Sequence, residues 1–305
     1  MRILPQQSRL PDGRLHLHDG PIDLIIEAFG EVAAVETAYA AAWRRFAAIL
    51  DELCAELPLL REQATSTGAR PSGVVARRMA DAVAPLCVAR FITPMAAVAG
   101  AVADEILRVM TIGAKLRRAY VNNGGDIALH LLPDESFSIG MVDRPDRPSL
   151  IGSAMISGRD SVRGVATSGW RGRSFSRGIA DAVTVLASSA AQADAAATLV
   201  ANAVDLPGHP AVGRTPATAL DPQSDLGERP VTIDVGPLAP HDIDDALTAG
   251  LDEAERLRRA GLLQAAALRL CGRTLLCGAE AVQTAERLPV RSKCEVGQRM
   301  ENLAV

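Results

Sequence analysis

Two oxygen-bearing side chains, Asp194 and Thr198, lie four residues apart in an Ala-rich stretch that follows the apolar run VTVLA. Ser188 and Ser189 end that run and are suited to cap a helix, so the sequence predicts a helix that begins near Ala190. Residues at i and i+4 lie on one face of a helix, where a carboxylate and a hydroxyl can bind Mg²⁺ together. A solvated aspartate beside a threonine bonded to its own backbone fits the same spacing.

A polar turn, Asn122-Asn123-Gly124-Gly125-Asp126, is a second candidate for a ligand contact. Its two glycines allow a sharp turn and let backbone amides or carbonyls approach a ligand, because no Cβ stands in the way. Asn-Gly is also a common hairpin signal, so an ordinary turn accounts for the same residues.

The loop from Thr167 to Gly178 is a third candidate, because it carries Arg171, Arg173 and Arg177 on a backbone rich in glycine and serine. Guanidinium groups on such a backbone suit phosphate oxygens. A surface loop with solvated arginines is the competing interpretation. Together with the helix and the turn, the loop indicates a pocket for a nucleotide and a metal ion.

Periodicity predicts the elements that must position these motifs. Apolar residues recur at helical spacing over 32–57, 73–86 and about 94–110, where Thr93 suits an N-cap and Pro94 the first helical position. From 119 to 187 the period changes to two, which predicts short strands near 119–121, 127–132, 136–142, 150–157, 163–167 and 179–187. Six strands in sequence favour an α+β fold, with largely antiparallel sheets packed with helices.

The sequence of the C-terminal third predicts a different order of structural elements. Residues 205–230 hold many of the prolines and predict a long excursion, which in a compact protein is often functional. A strand at VTIDVG, an amphipathic helix and a hairpin over 262–277 follow. We expect one unit over 1–283, with a division into two lobes left open, and a loosely held tail over 284–305.

Composition excludes several classes of partner. The 305 residues are 48% apolar but only 3% aromatic, which predicts a core of small aliphatic side chains. A net charge of −4 and a pI near 5.8 give no reason to expect nucleic acid or an anionic membrane surface. The N-terminus lacks the apolar segment of a signal peptide, and Asp104 and Glu105 interrupt the most apolar run. We therefore expect a cytoplasmic protein with a small-molecule ligand; a homo-oligomer stays open.

The three motifs together resemble those of the ApbE family, the flavin transferases that use FAD to attach FMN to proteins. Asn122 to Asp126 matches the family's Asn-x-Gly-Gly-Asp turn, and Thr167-Ser168-Gly169 matches its Thr-Ser-Gly loop. The stretch that ends at Thr198 matches its Ala-Asp-x-x-x-Thr motif, and the order agrees over roughly residues 90–205. The resemblance implies an ApbE-like fold, with Mg²⁺ bound by Asp194, Thr198 and a backbone carbonyl near the Gly-Gly turn.

These observations define the site residues that we predict. A FAD- or nucleotide-like cofactor is assigned to Asn123, Gly124, Gly125, Thr167, Ser168, Gly169, Arg171 and Arg173. Mg²⁺ is assigned to Asp194 and Thr198, and the candidates for a catalytic base are Asp126 and Asp181.

The sequence departs from the flavin transferases in two motifs, and one departure is that Val98-Ala99-Gly100-Ala101 stands in place of their Lys/Glu-Gly-Tyr-Ala helix, without the charged residue. They follow Thr-Ser-Gly with a His-x-x-Asp-Pro stretch whose histidine is important for catalysis, whereas WRGRSFSRGIAD contains no histidine. Segments such as PMAAVAGAVAD and PATALDPQSDLG are similar to a cytoplasmic branch of ApbE-like proteins that accompany archaeal-type one-carbon cofactor pathways.

Two main hypotheses follow from the resemblance. The first is an Mg²⁺-dependent, transferase-like enzyme that acts on a flavin- or nucleotide-like phosphate ester in one-carbon or pterin-type cofactor biosynthesis, and the retained Asp194 and Thr198 favour it. The second is a non-catalytic flavin- or nucleotide-binding protein, which the missing histidine favours. A structural relic without a ligand is a third alternative.

Overall fold

The computed structural model describes residues 4–88, 90–142, 150–278, 282–284 and 303–304. Within these residues a nine-stranded sheet packs helices against one face and a smaller sheet against the other, so that one hydrophobic core lies on each side. This arrangement confirms the predicted α+β class with largely antiparallel sheets.

The large sheet is antiparallel throughout. Its strands, in their order across the sheet, are β1 (Gln6–Arg9), β2 (Leu15–Asp19), β3 (Ile22–Gly30), β4 (Leu116–Asn123), β5 (Asp126–Leu131), β8 (Gly164–Ser168), β9 (Ala182–Ala187), β12 (Ala265–Leu270) and β13 (Arg273–Cys277). The smaller sheet comprises, in order, β14 (Val282–Thr284), β7 (Leu150–Ser157), β6 (Ser136–Val142) and β15 (Leu303–Ala304). A separate antiparallel pair is formed by β10 (Val212–Pro216) and β11 (Pro230–Val235).

The helical segments include those predicted from the apolar periodicity, together with two short helices, Leu57–Leu60 and Ala217–Leu220, that the sequence did not predict. They are α1 (Val32–Ala55), α2 (Leu57–Leu60), α3 (Val74–Val83), a 3₁₀ turn (Pro94–Ala97), α4 (Val98–Ile112), α5 (Ala190–Ala203), α6 (Ala217–Leu220) and α7 (Pro240–Arg259). The buried side of α1 carries Tyr39, Phe46 and Ile49, as its spacing predicts. None of the described helices combines the length and apolar character that crossing a bilayer requires.

The Ala-rich helix α5 is enclosed by backbone from its neighbours. Nine of its 14 residues are buried. A Cβ added at Gly100, Gly164 or Gly178 would lie 2.3, 2.1 or 2.0 Å from a carbonyl oxygen of α5 or of its N-cap residue. Glycine is therefore required for these close approaches, in agreement with the close packing that the small core residues predict.

Three details differ from the sequence-based expectation. Thr93 does not cap the following helix through its side chain; its hydroxyl donates to Asp225 Oδ2 instead. The excursion over 205–230 contains regular structure, namely β10 and α6. β10 pairs with β11, which does not join the large sheet. The tail predicted over 284–305 lies outside the described residues, except for Thr284, Leu303 and Ala304.

Candidate functional site

The predicted motifs converge on one cavity of about 530 Å³, bounded by the β4–β5 turn, the end of β8, the loop before β9, and helices α4 and α5. All of the predicted site residues line it except Arg171: Asn123, Gly124, Gly125, Asp126, Thr167, Ser168, Gly169, Arg173, Asp181, Asp194 and Thr198. Its volume is within the usual range for small-molecule sites, roughly 300–1,000 Å³. The three motifs therefore belong to one site.

The β4–β5 turn is both a hairpin turn and a wall of this cavity. Gly124 and Gly125 have φ values of +64° and +114°, which side chains other than glycine rarely adopt. The amide of Gly125 donates to Asn122 Oδ1 at 2.8 Å, and the buried Asn123 donates through Nδ2 to the carbonyl of Ala99 at 3.1 Å. These bonds fix the turn against the start of α4.

Asp126 and Asp194 place two carboxylates together in the cavity. Each is partly accessible from the cavity, but protein surrounds it on the other sides, and this burial raises both pKa values. The pKa of Asp194 rises to about 7, because burial outweighs hydrogen bonds from amides at the start of α4, including Gly100 N at 3.0 Å from Oδ2. The negative charge of Asp194 also raises the pKa of Asp126, against the opposing effects of the Thr167 amide and Arg173. Both carboxylates together are therefore disfavoured in their charged form unless a cation is present.

Arg171 and Asp181 form an ion pair with each other. Arg171 Nε lies 3.2 Å from Asp181 Oδ1, and the guanidinium lies 4.1 Å from the centroid of the Trp170 ring. The second oxygen of Asp181 accepts a hydrogen bond from the Cys271 amide at 2.7 Å. This pair therefore secures the loop before β9 to the β12–β13 hairpin.

Arg173, in contrast, is not paired with a carboxylate in the described part of the chain. Its side chain makes no hydrogen bond or ion pair with any residue in the described part of the chain. A Cβ added at Gly124 would lie 1.7 Å from Arg173 Nη2, which shows that the guanidinium lies directly against the turn. Because its charge also lowers the pKa of Asp126, Arg173 is well placed to bind an anion beside the carboxylates.

A second cavity, of about 380 Å³, adjoins the first at the carboxylate pair. Asp126, Asp194, Thr198 and Arg173 line both cavities. The outer walls of the second cavity are the 3₁₀ turn before α4 and the segment 221–226, which the bond from Thr93 to Asp225 ties together. The carboxylates thus lie at the junction of two spaces, each large enough for part of a ligand.

The cavity lining also includes Asp23 and Ala99, which lie outside the three motifs that the sequence singled out. Asp23 lies beside the turn because β3 pairs with β4 in a register that sets Leu24 opposite Asn123. Alternating polarity along a strand shows which face of the sheet each residue occupies, but it does not show which strand is the neighbour. No local sequence feature therefore predicts that Asp23 lies beside the turn. Ala99 contributes backbone groups, which residue types do not reveal.

The donor set of the cavity decides which metal ion it suits. In the described part of the chain, no group of three or more His, Cys, Asp or Glu side chains is placed to hold a metal ion. Where Asp126 and Asp194 lie together, the cavity offers their two carboxylates and the Thr198 hydroxyl, which are oxygen donors only. Mg²⁺ is commonly held by one or two carboxylates together with waters and substrate phosphates, so the residues fit Mg²⁺ better than a metal that prefers nitrogen or sulfur.

Comparison with known proteins places the chain among archaeal relatives. It is 40% identical over 134 residues to a UPF0280 protein of Methanopyrus kandleri, a match that covers 42% of this chain and 48% of the relative. It is 39% identical over 116 residues to a UPF0280 protein of Methanosarcina acetivorans, covering 38% of this chain and 44% of the relative. The matched segments thus span about half the length of these relatives.

Among solved structures, the apo form of the flavinyl transferase ApbE of Pseudomonas stutzeri matches with a TM-score of 0.36 and 11% identity, over 92% of this chain and 96% of that one. A mutant of the flavin transferase ApbE of Vibrio cholerae matches with a TM-score of 0.37 and 13% identity, over 89% of this chain and 97% of that one. Neither likeness is strong enough to bear on activity. A family model described as "AbpE bacteria" matches residues 7–276. The motif-based assignment to the ApbE-like family is thereby confirmed, and the chain belongs to the family described as AbpE bacteria.

Proposed function

We propose that this protein is an Mg²⁺-dependent enzyme that acts on a flavin- or nucleotide-like phosphate ester. The observation that carries the proposal is the pair Asp126 and Asp194, two poorly hydrated carboxylates beside Arg173, whose guanidinium has no partner among the described residues. A divalent cation at Asp194 and Thr198 and a phosphate on the guanidinium would balance these charges together. Family membership supports the same assignment.

The residues of the cavity have separate roles in this proposal. Asp194 and Thr198 would hold the metal ion, and the amide of Gly100 orients the Asp194 carboxylate. Arg173 and the backbone of the Gly124-Gly125 turn hold phosphate oxygens. When bound, Mg²⁺ would neutralise phosphate charge and assist the departure of the leaving group.

Asp126 is the proposed general base. In its ionised form it takes the proton from a hydroxyl or water whose oxygen attacks phosphorus. The bond from phosphorus to the leaving oxygen breaks, and that oxygen keeps the electron pair. Asp181 is less suited to this role, because its two oxygens already bind Arg171 and the Cys271 amide.

The second candidate function is a binding protein without turnover. None of the five histidines of the chain lines either cavity, so proton transfer would depend on a carboxylate alone. A flavin- or nucleotide-binding protein needs the cavity, the metal ligands and Arg173, but no general base. A role in one-carbon or pterin-type cofactor biosynthesis is part of the first proposal and follows from the family resemblance, not from the site.

The first experiment identifies the ligand. Small molecules are released from protein purified without reconstitution and are analysed by mass spectrometry. A flavin, a nucleotide or a related phosphate ester supports both functions. The absence of any bound molecule, together with no binding of FAD, FMN or ATP in the presence of Mg²⁺, would reject both.

The second experiment separates the two functions. FAD, FMN and ATP are each incubated with Mg²⁺ and wild type, Asp194→Asn or Arg171→Gln, and the products are separated by chromatography. The enzyme hypothesis expects products from wild type and from Arg171→Gln, which removes an arginine outside the cavity, but not from Asp194→Asn. Binding to wild type without any product would favour the binding protein.

A further inference from the structure

A third cavity, of about 540 Å³, lies beside the C-terminal half of α5 and has an excess of positive charge. Within the described part of the chain, its lining contains three arginines, Arg90, Arg177 and Arg214, and one carboxylate, Asp205. A concave surface lined by one sign of charge concentrates ligands of the opposite sign. The cavity therefore favours an anion.

Arg177 is the arginine of this cavity that has no counter-ion. Arg214 forms an ion pair with Asp205, and Arg90 lies 3.4 Å from a carboxylate oxygen of Glu253. The side chain of Arg177 makes no hydrogen bond or ion pair within the described ranges, and its Nε is buried without an acceptor. A buried donor without a partner costs free energy, which an acceptor bound in the cavity would recover.

Hydrogen bonds to its backbone hold Arg177 in place. Its amide donates to Asn202 Oδ1 at 2.8 Å, and its carbonyl accepts a hydrogen bond from the Arg214 guanidinium. The Arg229 guanidinium lies 3.4 Å from the centroid of the Phe91 ring and forms no ion pair with a described residue. Burial and then the positive charge of Arg229 lower the pKa of Arg177, while the negative charge of Asp205 opposes this shift.

We propose that this cavity is a phosphate-binding site centred on Arg177, separate from the Asp126–Asp194 pair. Among the described residues, Arg177 is the arginine of the cavity lining that forms no ion pair, and it leaves the cavity with a positive charge that a phosphate would neutralise. Guanidinium groups suit phosphate because their N–H donors can bind two of its oxygens at once.

The site is continuous with the carboxylate pair. Phe91, Arg177 and Asn202 line both this cavity and the second one, which reaches Asp194. Asp194 and Asn202 both belong to α5 and are eight residues apart, which corresponds to about 12 Å along a helix. A ligand that spans both cavities would carry its phosphate at Arg177 and its reacting group at the carboxylates; this step alone rests on the proposed function.

Protection of wild-type protein from phenylglyoxal, which modifies guanidinium groups, tests the site without a substitution. Modified protein is digested and Arg177 modification is measured by mass spectrometry, with and without inorganic phosphate. Phosphate is expected to suppress modification at Arg177, while the exposed Arg159, which pairs with Asp134, reacts equally in both samples. Equal modification of Arg177 with and without phosphate would overturn the proposal.

Direct binding gives the second test. Inorganic phosphate is titrated by calorimetry at low ionic strength into Arg173→Gln protein, so that the first cavity does not contribute. Adding Arg177→Gln is expected to weaken binding about 10- to 100-fold, whereas Arg177→Lys recovers part of the loss and Arg159→Gln has no effect. Binding that survives Arg177→Gln, or equal loss in Arg159→Gln, would refute the site.

These tests do not depend on turnover. Protection of Arg177 without product formation from FAD, FMN or ATP would retain the phosphate site and reject the enzyme. Product formation with no protection of Arg177 would retain the enzyme and reject the phosphate site.

Discussion

Replacing Asp194 with asparagine should make the metal-free protein more stable at neutral and alkaline pH. Burial raises the pKa of Asp194 from 3.8 to about 7, so the folded state holds a proton that the unfolded state releases. The contribution of this group to stability is therefore fully present below pH 3.8 and is lost as the pH rises through 7. A shift of roughly three pH units corresponds to about 4 kcal/mol. Since the carboxylate is partly accessible from the cavity, we expect about half of that, on the order of 2 kcal/mol.

Asparagine keeps an oxygen that can accept the hydrogen bond from the Gly100 amide and carries no charge at any pH. Urea denaturation of wild type and Asp194→Asn in EDTA, from pH 4.5 to 8, measures the difference in unfolding free energy. The advantage of the variant should grow by about 2 kcal/mol across this range. Asp134→Asn, which changes an exposed carboxylate, should show no such trend. A variant that is no more stable than wild type at pH 8, or a difference independent of pH, would refute the reasoning.

Two other predictions follow from the pairing of charged side chains. Arg173→Gln should weaken Mg²⁺-dependent binding of FAD or ATP about 10- to 100-fold. Arg171→Gln removes an arginine that is already paired with Asp181, so it should change the affinity less than about two-fold. Calorimetry that shows equal losses of affinity in the two variants would contradict this prediction. Glu105→Gln should cost about 2–3 kcal/mol at pH 7, because hydrogen bonds from Arg108 and Arg45 outweigh burial and lower the pKa of Glu105 to about 2. That stability is present above pH 4.5 and is lost as the pH falls towards 2. In urea denaturation, the unfolding free energies of wild type and Glu105→Gln should therefore differ strongly at pH 7 and only slightly at pH 3. Equal differences at the two pH values would count against the prediction.

Much of the fold could be predicted from the sequence, because helices and strands differ in apolar period. The strands predicted between 119 and 187 appear as β4 to β9 with small shifts in their ends. Which strands pair could not be predicted, since alternation defines two faces but not a neighbour. As a result, no feature of the sequence predicts that β6 and β7 belong to a separate small sheet. Likewise, β11 reads as an ordinary strand but pairs only with β10.

The candidate site was predictable as a set of motifs but not as a set of contacts. The types and spacing of Asp194, Thr198 and the Gly-Gly turn locate the cavity, which they line together. Arg171 and Arg173 are two residues apart and equivalent in sequence. They differ because Asp181, ten residues beyond Arg171, neutralises one and not the other. Counter-ions are set by the tertiary structure, so residue type alone cannot distinguish an arginine that is free to bind ligand from one that stabilises a loop.

The glycine contacts around α5 have a consequence for the dynamics of the site. Gly100 and Gly164 meet the helix at its N-terminal end, and Gly178 meets it near its C-terminal end, each at a distance that excludes a side chain. The helix can therefore neither slide along its axis nor rotate without breaking close backbone contact at one end. Asp194 and Thr198 are consequently preorganised before any ligand arrives, and association requires little ordering of the helix. In native-state hydrogen exchange, the amides of α5 should be among the slowest in the chain, and ligand should slow exchange in the β4–β5 turn and the loop before β9 far more than in this helix.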